Sequence, residues 1–341
     1  MAPESLTPAV SQLLATVGRE KQEFELQPLS ASGNNRVFVL ITADENMVLK
    51  WYFHDAADLR DRLGAEYAFL EHAWDTGLRS VPKPMGKDPI NHLALYEFVE
   101  GEKLQAQQVK NTDMEQAAKF LASLNTNHSR ATAGSLPAAS EACFSVAAHL
   151  AMVDARLARF ATLQPESAAD SVAATFVADL AKYWVLTKMR LMAECKTMGL
   201  DPEADLPVSQ RCLSPSDFGF HNALVRPDGT LCFIDFEYAG WDDPAKAVGD
   251  FFSHPGVQVS RQHFDSFLAA VLAPFAEPEA MAARVRLLEP VFQLKWCCII
   301  LNEFLPAGAR RRTFANPGDD AEQRKKRQLL KAQTLYQSFA H

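Results

Sequence analysis

The sequence predicts an α+β protein with a small, mainly β N-terminal lobe and a larger, mainly helical C-terminal lobe. The chain has 341 residues, 48% of them hydrophobic, so it can bury a large core and is longer than one ordinary domain. Strand-like runs dominate residues 1–100, whereas helical periodicity dominates residues 101–341. We therefore predict two lobes with a boundary near Gly101.

Two strands and a helix are predicted early in the chain. A small polar loop at residues 29–36 precedes an apolar run at residues 37–42, and a turn separates that run from a second one at residues 47–52. The segment 58–74 then carries leucine, tyrosine and tryptophan at helical spacing.

Lys50 is the one charged residue inside the second strand. A charge in such a run is costly unless a partner or an anionic ligand compensates it. Glu66, beside the apolar stripe of the following helix, is a candidate partner, and Glu71 is a competing one. The alternatives are that Lys50 extends its ammonium group to solvent from a strand edge and that Glu66 lies on a solvated helix face.

A third strand-like run ends the N-terminal lobe. Residues 92–101 follow a proline-rich crossing at residues 81–84, and the run ends at a glycine. This pattern is typical of a hinge between lobes, although an ordinary edge strand and loop would have the same sequence.

The C-terminal lobe is predicted to be helical except for one hairpin. Apolar residues recur at helical spacing in five segments. These segments are residues 114–125, 143–161, 172–198, 280–304 and 320–339. The pair Asp243-Pro244 is typical of a helix start, with the aspartate as the N-cap, which predicts a structural role for Asp243.

Three oxygen-bearing side chains are predicted to converge at the base of the hairpin. Asp217 and Asn222 lie on a loop that leads into the strand 223–225, and a glycine-containing turn at 226–230 returns the chain to Asp235. Phosphoryl transfer needs a carboxylate near the attacking hydroxyl and oxygen ligands for Mg²⁺. The alternative is that both aspartates only bond local backbone at a turn or strand end.

This Asp-x-x-x-x-Asn loop, the hairpin and the sequence Ile-Asp-Phe-Glu at 234–237 resemble the aminoglycoside phosphotransferase and choline kinase family. That family is a branch of the protein-kinase-like fold. The resemblance implies that Asp217 is catalytic, orienting the acceptor hydroxyl and accepting its proton, and that Asn222 and Asp235 bind Mg²⁺. It further implies that Lys50 contacts the nucleotide phosphates and that Glu66 orients Lys50.

The same resemblance implies an ATP site in the N-terminal lobe. Ser32, Gly33 and Asn34 would cap phosphate groups, although the loop has one glycine where protein kinases carry three. The backbone of Glu97 and Val99 would bond the adenine edge. An ordinary hairpin turn is the alternative for the loop.

The catalytic loop departs from the family pattern His-Gly-Asp-x-x-x-x-Asn. Pro215 and Ser216 stand before Asp217, and His221 stands where glycine is common. His221 either contacts substrate or packs against the loop. The family often has a second aspartate three residues after the proline of Asp243-Pro244, and this position is Ala247 here. Asp250, three residues later, could brace the loop in its place, but we assign it no role.

Glu237, two residues past Asp235, is open to three interpretations. It could hold a second Mg²⁺ through water, bind substrate, or form a surface salt bridge.

These observations predict an ATP-dependent phosphotransferase that moves the γ-phosphate to a hydroxyl of a small molecule, such as a sugar or an amino alcohol. The alternative is a nucleotide-binding pseudokinase or scaffold without turnover, suggested by Pro215 and His221. A protein kinase ranks last because no Ala-Pro-Glu segment follows Asp235. The acceptor and the oligomeric state are not predicted.

Composition limits the partners and the compartment. The formal net charge of −8 argues against nucleic acid. The apolar run at residues 296–301 is far short of the ~20 residues that span a bilayer, and the first residues lack a signal-peptide pattern. We expect a cytoplasmic protein with no membrane partner. The six cysteines form no Cys-x-x-Cys pair, so we expect neither a disulfide nor a zinc site.

Overall fold

A computed structural model describes residues 6–20, 22–29, 35–54, 60–305 and 320–340. The chain divides into two compact units, one made of Met1–Ser140 and Leu213–Trp241 and the other of Glu141–Cys212 and Asp242–His341. The first unit contains the whole predicted N-terminal lobe together with the predicted catalytic loop and hairpin. The lobe boundary at residue 101 stays a prediction.

The main sheet of the first unit has five antiparallel strands in the order β1-β2-β3-β5-β4. Two smaller sheets follow, one of β6, β8 and β9 and one of β7 and β10. The strands are β1 Phe24–Pro28, β2 Arg36–Thr42, β3 Asn46–Trp51, β4 Pro84–Asp88, β5 Leu93–Glu97, β6 Glu102–Lys103, β7 Cys212–Ser214, β8 Ala223–Val225, β9 Leu231–Phe233 and β10 Gly240–Asp242.

Ten α-helices lie in the described part of the chain. They are α1 Thr7–Thr16, α2 Arg62–Asp75, α3 Asn111–Leu124, α4 Asn127–Thr132, α5 Val146–Ala158, α6 Ala168–Met198, α7 Pro244–Ser253, α8 Phe264–Leu272, α9 Pro278–Ile300 and α10 Ala321–Gln337. Short 3₁₀ turns occur at Ala106–Gln108, Arg159–Thr162, Val208–Gln210, Phe220–Asn222, Arg261–His263 and Leu301–Phe304. In the described ranges, no helix combines the length and the apolar character needed to cross a membrane.

The core of the main sheet lies under α1. Val10, Leu13 and Leu14 of this helix pack with Leu49 and other apolar residues of the strands. Because side chains alternate along a strand, Lys50 lies on the opposite face of β3 from Leu49. The strand therefore separates the α1 core from the charged site described below.

The predicted strand at residues 92–101 is shorter in the structure. β5 ends at Glu97, which pairs with Met47, and its neighbour β3 begins at Asn46. Beyond Glu97 only one residue of β3, Asn46, remains for pairing, and β5 ends well before Gly101. The predicted hairpin is confirmed, with Ala223 opposite Phe233.

Helix α3 supports the hairpin and the loop that precedes it. The ring of Phe120 stacks on Phe218 at a centroid distance of 5.5 Å and lies 4.6 Å from the ring of Phe233. All three side chains are buried. This aromatic cluster holds the predicted catalytic loop against the strand that leads to Asp235.

In the second unit, the start of α7 confirms the predicted role of Asp243. Its Oδ1 accepts a hydrogen bond from the Ala245 N–H at 2.8 Å, and its Oδ2 lies 2.7 Å from Arg284 and 3.1 Å from His149. Burial opposes ionisation, but these two partners lower the pKa of Asp243 to about 2.

Asp250, near the end of α7, is also held within the second unit. Its carboxylate accepts hydrogen bonds from Lys295 Nζ at 2.7 Å and Trp296 Nε1 at 2.8 Å. Both donors belong to α9. These contacts join the two helices through a buried ion pair.

Candidate active site

Lys50 and Glu66 form a buried ion pair between β3 and α2. Lys50 Nζ lies 2.6 Å from Glu66 Oε2, and each side chain is almost fully buried. The competing residue Glu71 instead lies 3.7 Å from Lys87. Of the two candidate partners for Lys50 on this helix, the structure therefore selects Glu66.

The Glu66 carboxylate is also held by groups outside the predicted set. The Tyr52 hydroxyl donates to Oε2 at 2.7 Å, and the Phe236 N–H donates to Oε1 at 3.3 Å. The hydroxyl oxygens of Tyr52 and Tyr96 lie 2.7 Å apart. These partners fix the orientation of Glu66 and hence that of Lys50.

Asp235 is the second acidic partner of Lys50. Its Oδ1 lies 2.5 Å from Lys50 Nζ, which joins the main sheet to the segment after β9. Asp235 has a φ of +68°, a left-handed conformation that costs free energy in a residue with a side chain. The next residue, Phe236, is buried and stacks on Phe69 at 5.1 Å, which anchors the strained turn.

The electrostatics of the site favour a charged lysine. Burial alone would lower the pKa of Lys50, but the negative charges of Asp235, Glu66 and Glu237 outweigh burial and raise it. For Glu66 burial is the largest effect and raises its pKa, although Lys50 opposes that change. The ammonium group of Lys50 is thus kept charged in a site of low solvent access.

The predicted catalytic loop is held by hydrogen bonds of its own backbone and side chains. The Ser216 N–H donates to Ser214 Oγ at 3.0 Å, and the Ser216 hydroxyl donates to the Ser140 carbonyl at 3.1 Å. Ser216 has a φ of +66°. The Asp217 N–H donates to the Pro215 carbonyl at 2.8 Å. These bonds give the loop a defined turn at the position of the missing His-Gly pair.

Asn222 connects this loop to the hairpin that carries the predicted metal ligands. Its Nδ2 donates to the Asp217 carbonyl at 3.1 Å, and its own carbonyl accepts a hydrogen bond from the Ile234 N–H at 2.8 Å. Because Ile234 directly precedes Asp235, the backbone places the two predicted metal ligands on neighbouring segments. Asn222 is therefore bonded to Asp217 and to Ile234, the residue that directly precedes Asp235.

His221 lies against the predicted catalytic carboxylate. Its Nε2 is 3.3 Å from Asp217 Oδ1, and both ring nitrogens are buried. The residue packs over Gly219, where an added Cβ would lie 2.7 Å from His221 Nδ1.

Glu237 is buried, which excludes the surface salt bridge considered from the sequence. Its Oε2 accepts a hydrogen bond from Asn35 Nδ2 at 2.5 Å and lies 3.6 Å from Arg62 Nε. Asn35 Oδ1 in turn accepts from the Phe53 N–H at 3.1 Å. Sequence reasoning missed Asn35 and Arg62, because neither interrupts an apolar pattern and the contact with Glu237 spans about 200 positions.

The remaining predicted residues are those of the predicted nucleotide site. Ser32, Gly33 and Asn34 lie outside the described residues. The Glu97 N–H donates to the Lys83 carbonyl at 2.9 Å, and the side chain of Glu97 accepts from the Lys83 N–H at 3.0 Å. An adenine contact at Glu97 would therefore use its carbonyl group, and Val99 follows where the chain has left the sheet.

The donor atoms at the hairpin fit a magnesium ion. Asn222 Nδ2 is used in a backbone contact, which directs the side-chain oxygen Oδ1 away from the Asp217 carbonyl. Asp235 is partly exposed and contributes Oδ1 to Lys50, so Oδ2 is its second carboxylate oxygen. Amide and carboxylate oxygens are the ligands that Mg²⁺ prefers in proteins.

Solved structures with the same fold cover nearly the whole chain. Choline kinase LicA from Streptococcus pneumoniae has a TM-score of 0.58 and 14% identity over 98% of this chain and 100% of that chain. A choline kinase from Cryptosporidium parvum Iowa II has a TM-score of 0.57 and 12% identity over 96% and 97%. The ternary complex of streptomycin, ATP and APH(2″)-IIa has a TM-score of 0.54 and 13% identity over 94% and 98%.

The shared fold confirms the predicted α+β, protein-kinase-like class, with an antiparallel N-terminal sheet and a mostly helical remainder. A search of the curated proteins finds no match. The family model described as "Phosphotransferase enzyme family" matches residues 25–283, a span that contains Lys50, Glu66, Asp217, Asn222 and Asp235. The chain belongs to this phosphotransferase family.

Proposed function

We propose that this protein is an ATP-dependent phosphotransferase that moves the γ-phosphate of ATP to a hydroxyl of a small molecule. The observation that carries the proposal is the buried Glu66–Lys50–Asp235 network, in which both contacts to Lys50 Nζ are 2.6 Å or shorter. A charged lysine held between carboxylates of a helix and a metal-site strand suits phosphate binding. Family membership supports the same reaction class.

The nucleotide would be bound by the N-terminal lobe. Lys50 would neutralise charge on the α- and β-phosphates, and Ser32, Gly33 and Asn34 would cap phosphate oxygens with backbone and side-chain donors. The Glu97 carbonyl and the Val99 N–H would bond the adenine edge. ATP use is supported by the similar fold of a structure named as an ATP complex.

The chemical step would take place at Asp217. Its carboxylate would orient the acceptor hydroxyl and accept the proton as the new oxygen–phosphorus bond forms. The bond between the γ-phosphorus and the bridging oxygen breaks, and ADP carries away the electron pair. Bound Mg²⁺, held by Asn222 and Asp235, would offset negative charge on the phosphates. Lys50, which contacts Asp235, would neutralise part of the same negative charge on the phosphates.

The acceptor class is open among sugars, amino alcohols and other hydroxylated metabolites. Similar folds include enzymes named as choline, ethanolamine and spectinomycin kinases or phosphotransferases, at 12% to 13% identity. The net charge of −8 favours cationic over anionic acceptors through long-range attraction. We therefore rank amino alcohols and other cationic acceptors first.

The test is an ADP-formation screen over a library of hydroxylated metabolites with Mg·ATP. We expect at least one acceptor to stimulate ADP formation in the native protein, with the phosphorylated product visible by mass spectrometry. The Asp217→Asn variant serves as the matched control, and its product formation should be lower by about 10²-fold to 10⁴-fold. Mg²⁺-dependent stabilisation by ATP with no turnover over the whole library would instead support a nucleotide-binding pseudokinase.

A further inference from the structure

His221 lies on the same 3₁₀ turn as the predicted metal ligand Asn222, and its ring approaches the carboxylate of Asp217, the predicted catalytic residue. The turn spans Phe220–Asn222, and it returns the histidine ring towards the residue four positions earlier. His221 Nε2 lies 3.3 Å from Asp217 Oδ1, within the range of an ion pair. The contact joins the only two ionisable side chains between Pro215 and Asn222.

The histidine nitrogen in this contact is buried. Both ring nitrogens of His221 are inaccessible to solvent. A buried polar nitrogen needs a polar partner, since water does not solvate it. The Asp217 carboxylate oxygen lies 3.3 Å from Nε2 and is within reach as an acceptor, and a hydrogen bond to a charged group is stronger than one between neutral groups.

Gly219 has no side chain and therefore leaves room for the imidazole ring of His221. An ideal Cβ at this glycine would lie 2.7 Å from His221 Nδ1 and 2.9 Å from His221 Cε1, closer than real Cβ contacts. The backbone of Gly219 is extended, with a φ of 170°, so its conformation does not itself require glycine. The absence of a side chain is therefore needed for space, and the space is occupied by the imidazole.

We propose that His221 is a positioning residue for Asp217. Its Nε2–H group holds one oxygen of the Asp217 carboxylate, so that the carboxylate keeps a single orientation towards the acceptor hydroxyl. The 3.3 Å contact shortens to a hydrogen bond when the substrates bind, as contacts of catalytic groups do. This role rests on the proposed function, because it matters only if Asp217 accepts the proton of an acceptor.

The first test compares His221→Ala with His221→Gln in steady-state kinetics, using an acceptor found in the ADP-formation screen. Glutamine carries an amide nitrogen that can take the position of Nε2, whereas alanine carries none. We expect His221→Ala to lower kcat by about 10²-fold with little change in the KM for ATP, because a misplaced catalytic group costs rate rather than nucleotide binding. His221→Gln should recover most of the lost kcat.

The second test moves the ring without changing it. Gly219→Ala should lower kcat as His221→Ala does, and combining the two substitutions should cause no further loss. Gly134→Ala is the matched control, because a Cβ there meets no atom within 4 Å, and it should leave kcat unchanged. Thermal unfolding of each variant checks that the fold persists.

The outcomes separate this proposal from the proposed function. If Asp217→Asn abolishes turnover while His221→Ala keeps the kcat of the native protein, the positioning role is overturned and the proposed function stands. If His221→Ala raises only the KM for the acceptor, the histidine contacts substrate and the positioning role is again overturned. If Asp217→Asn turns over normally, the proposed function itself fails.

Discussion

Lys50 is a buried ammonium group with two carboxylates in direct contact. Burying Lys50 and Glu66 costs several kcal/mol each, and their attraction to each other and to the partly exposed Asp235 offsets that cost only while the opposite charges are present. Glu66 receives additional hydrogen bonds from the Tyr52 hydroxyl and the Phe236 N–H. Removing Lys50 would leave Glu66 and Asp235 as neighbouring like charges.

Lys50→Met should therefore weaken both folding and nucleotide binding. We expect the free energy of unfolding to fall by about 3–5 kcal/mol, as for a broken buried ion pair, measured by urea denaturation. Lys87→Met is the control, because Lys87 is partly exposed at 3.7 Å from Glu71, and it should cost at most about 1 kcal/mol. Equal losses in the two variants would show that the buried network does not contribute to stability.

At the residue scale, the sequence predicted a functional residue where a charged side chain interrupts an apolar segment. Lys50 interrupts an apolar strand, and that conflict pointed to its partner on the next helix. Tyr52 and Tyr96 were missed because an aromatic residue in a strand is expected to belong to the hydrophobic core. The contact between their hydroxyl groups is visible only in the structure. Asn35 was missed because its partner Glu237 is far away in the sequence.

At the scale of elements, close backbone approaches decide how strands and loops are held. Gly240 begins β10 and packs against the segment 137–139, where the Ala139 N–H donates to the Trp241 carbonyl at 2.8 Å. An added Cβ at Gly240 would lie 2.7 Å from Ala139 N and closer still to the Pro137 carbonyl oxygen. Both of these atoms are backbone atoms and cannot rotate away.

Gly240→Ala should destabilise the protein by about 1–3 kcal/mol, because overpacking forces the backbone to shift. Gly134→Ala is again the matched glycine control, since an added Cβ there meets open space, and it should be neutral or stabilising by up to about 1 kcal/mol. Thermal or urea unfolding measures both variants. A Gly240→Ala protein as stable as the native one would contradict the packing of β10.

The N-cap of α7 predicts a pH dependence of stability. Asp243 has its pKa lowered to about 2 by His149 and Arg284, against an ordinary value of 3.8. A lowered carboxyl pKa stabilises the fold fully above the unfolded-state pKa and loses that contribution as the pH falls from about 4 towards 2.

Asp243→Asn should accordingly be less stable than the native protein by about 2 kcal/mol at pH 7. The gap between the two proteins should narrow once the pH falls below about 4, as read from urea unfolding at several pH values. A gap that stays constant down to pH 3 would exclude a contribution from Asp243 ionisation.

Helices with long apolar stripes were predicted correctly, whereas the ends of strands were not, because pairing with a neighbouring strand determines them. The aspartate–proline pair correctly predicted the start of α7, and long apolar stripes predicted α6 and α9. The predicted end of β5 at Gly101 was wrong, because the strand ends at Glu97, opposite Met47 near the start of β3. Where β3 begins is not encoded in the residues of β5. β4 was not predicted: the proline-rich crossing at residues 81–84 ends at Pro84, which is the first residue of this strand, a position that tolerates proline.

At the scale of the whole molecule, the order of motifs along the chain carries the functional argument. Lys50, Glu66, Asp217, Asn222 and Asp235 all belong to the first unit, where contacts join Lys50 to Glu66 and Asp235 and join Asn222 to Asp217. The family match over residues 25–283 spans this set. The choice of acceptor has no such motif, because pocket shape determines it.

The central claim is that Asp217 carries out the chemical step and that Lys50 and the metal ligands bind the nucleotide. The most direct measurement is phosphate transfer and Mg·ATP-induced thermal stabilisation of the Asp217→Asn variant, side by side with the native protein. The claim predicts that the variant keeps the ATP-dependent rise in unfolding temperature but loses turnover by about 10²-fold to 10⁴-fold. Phosphate transfer by Asp217→Asn at the native rate would contradict it.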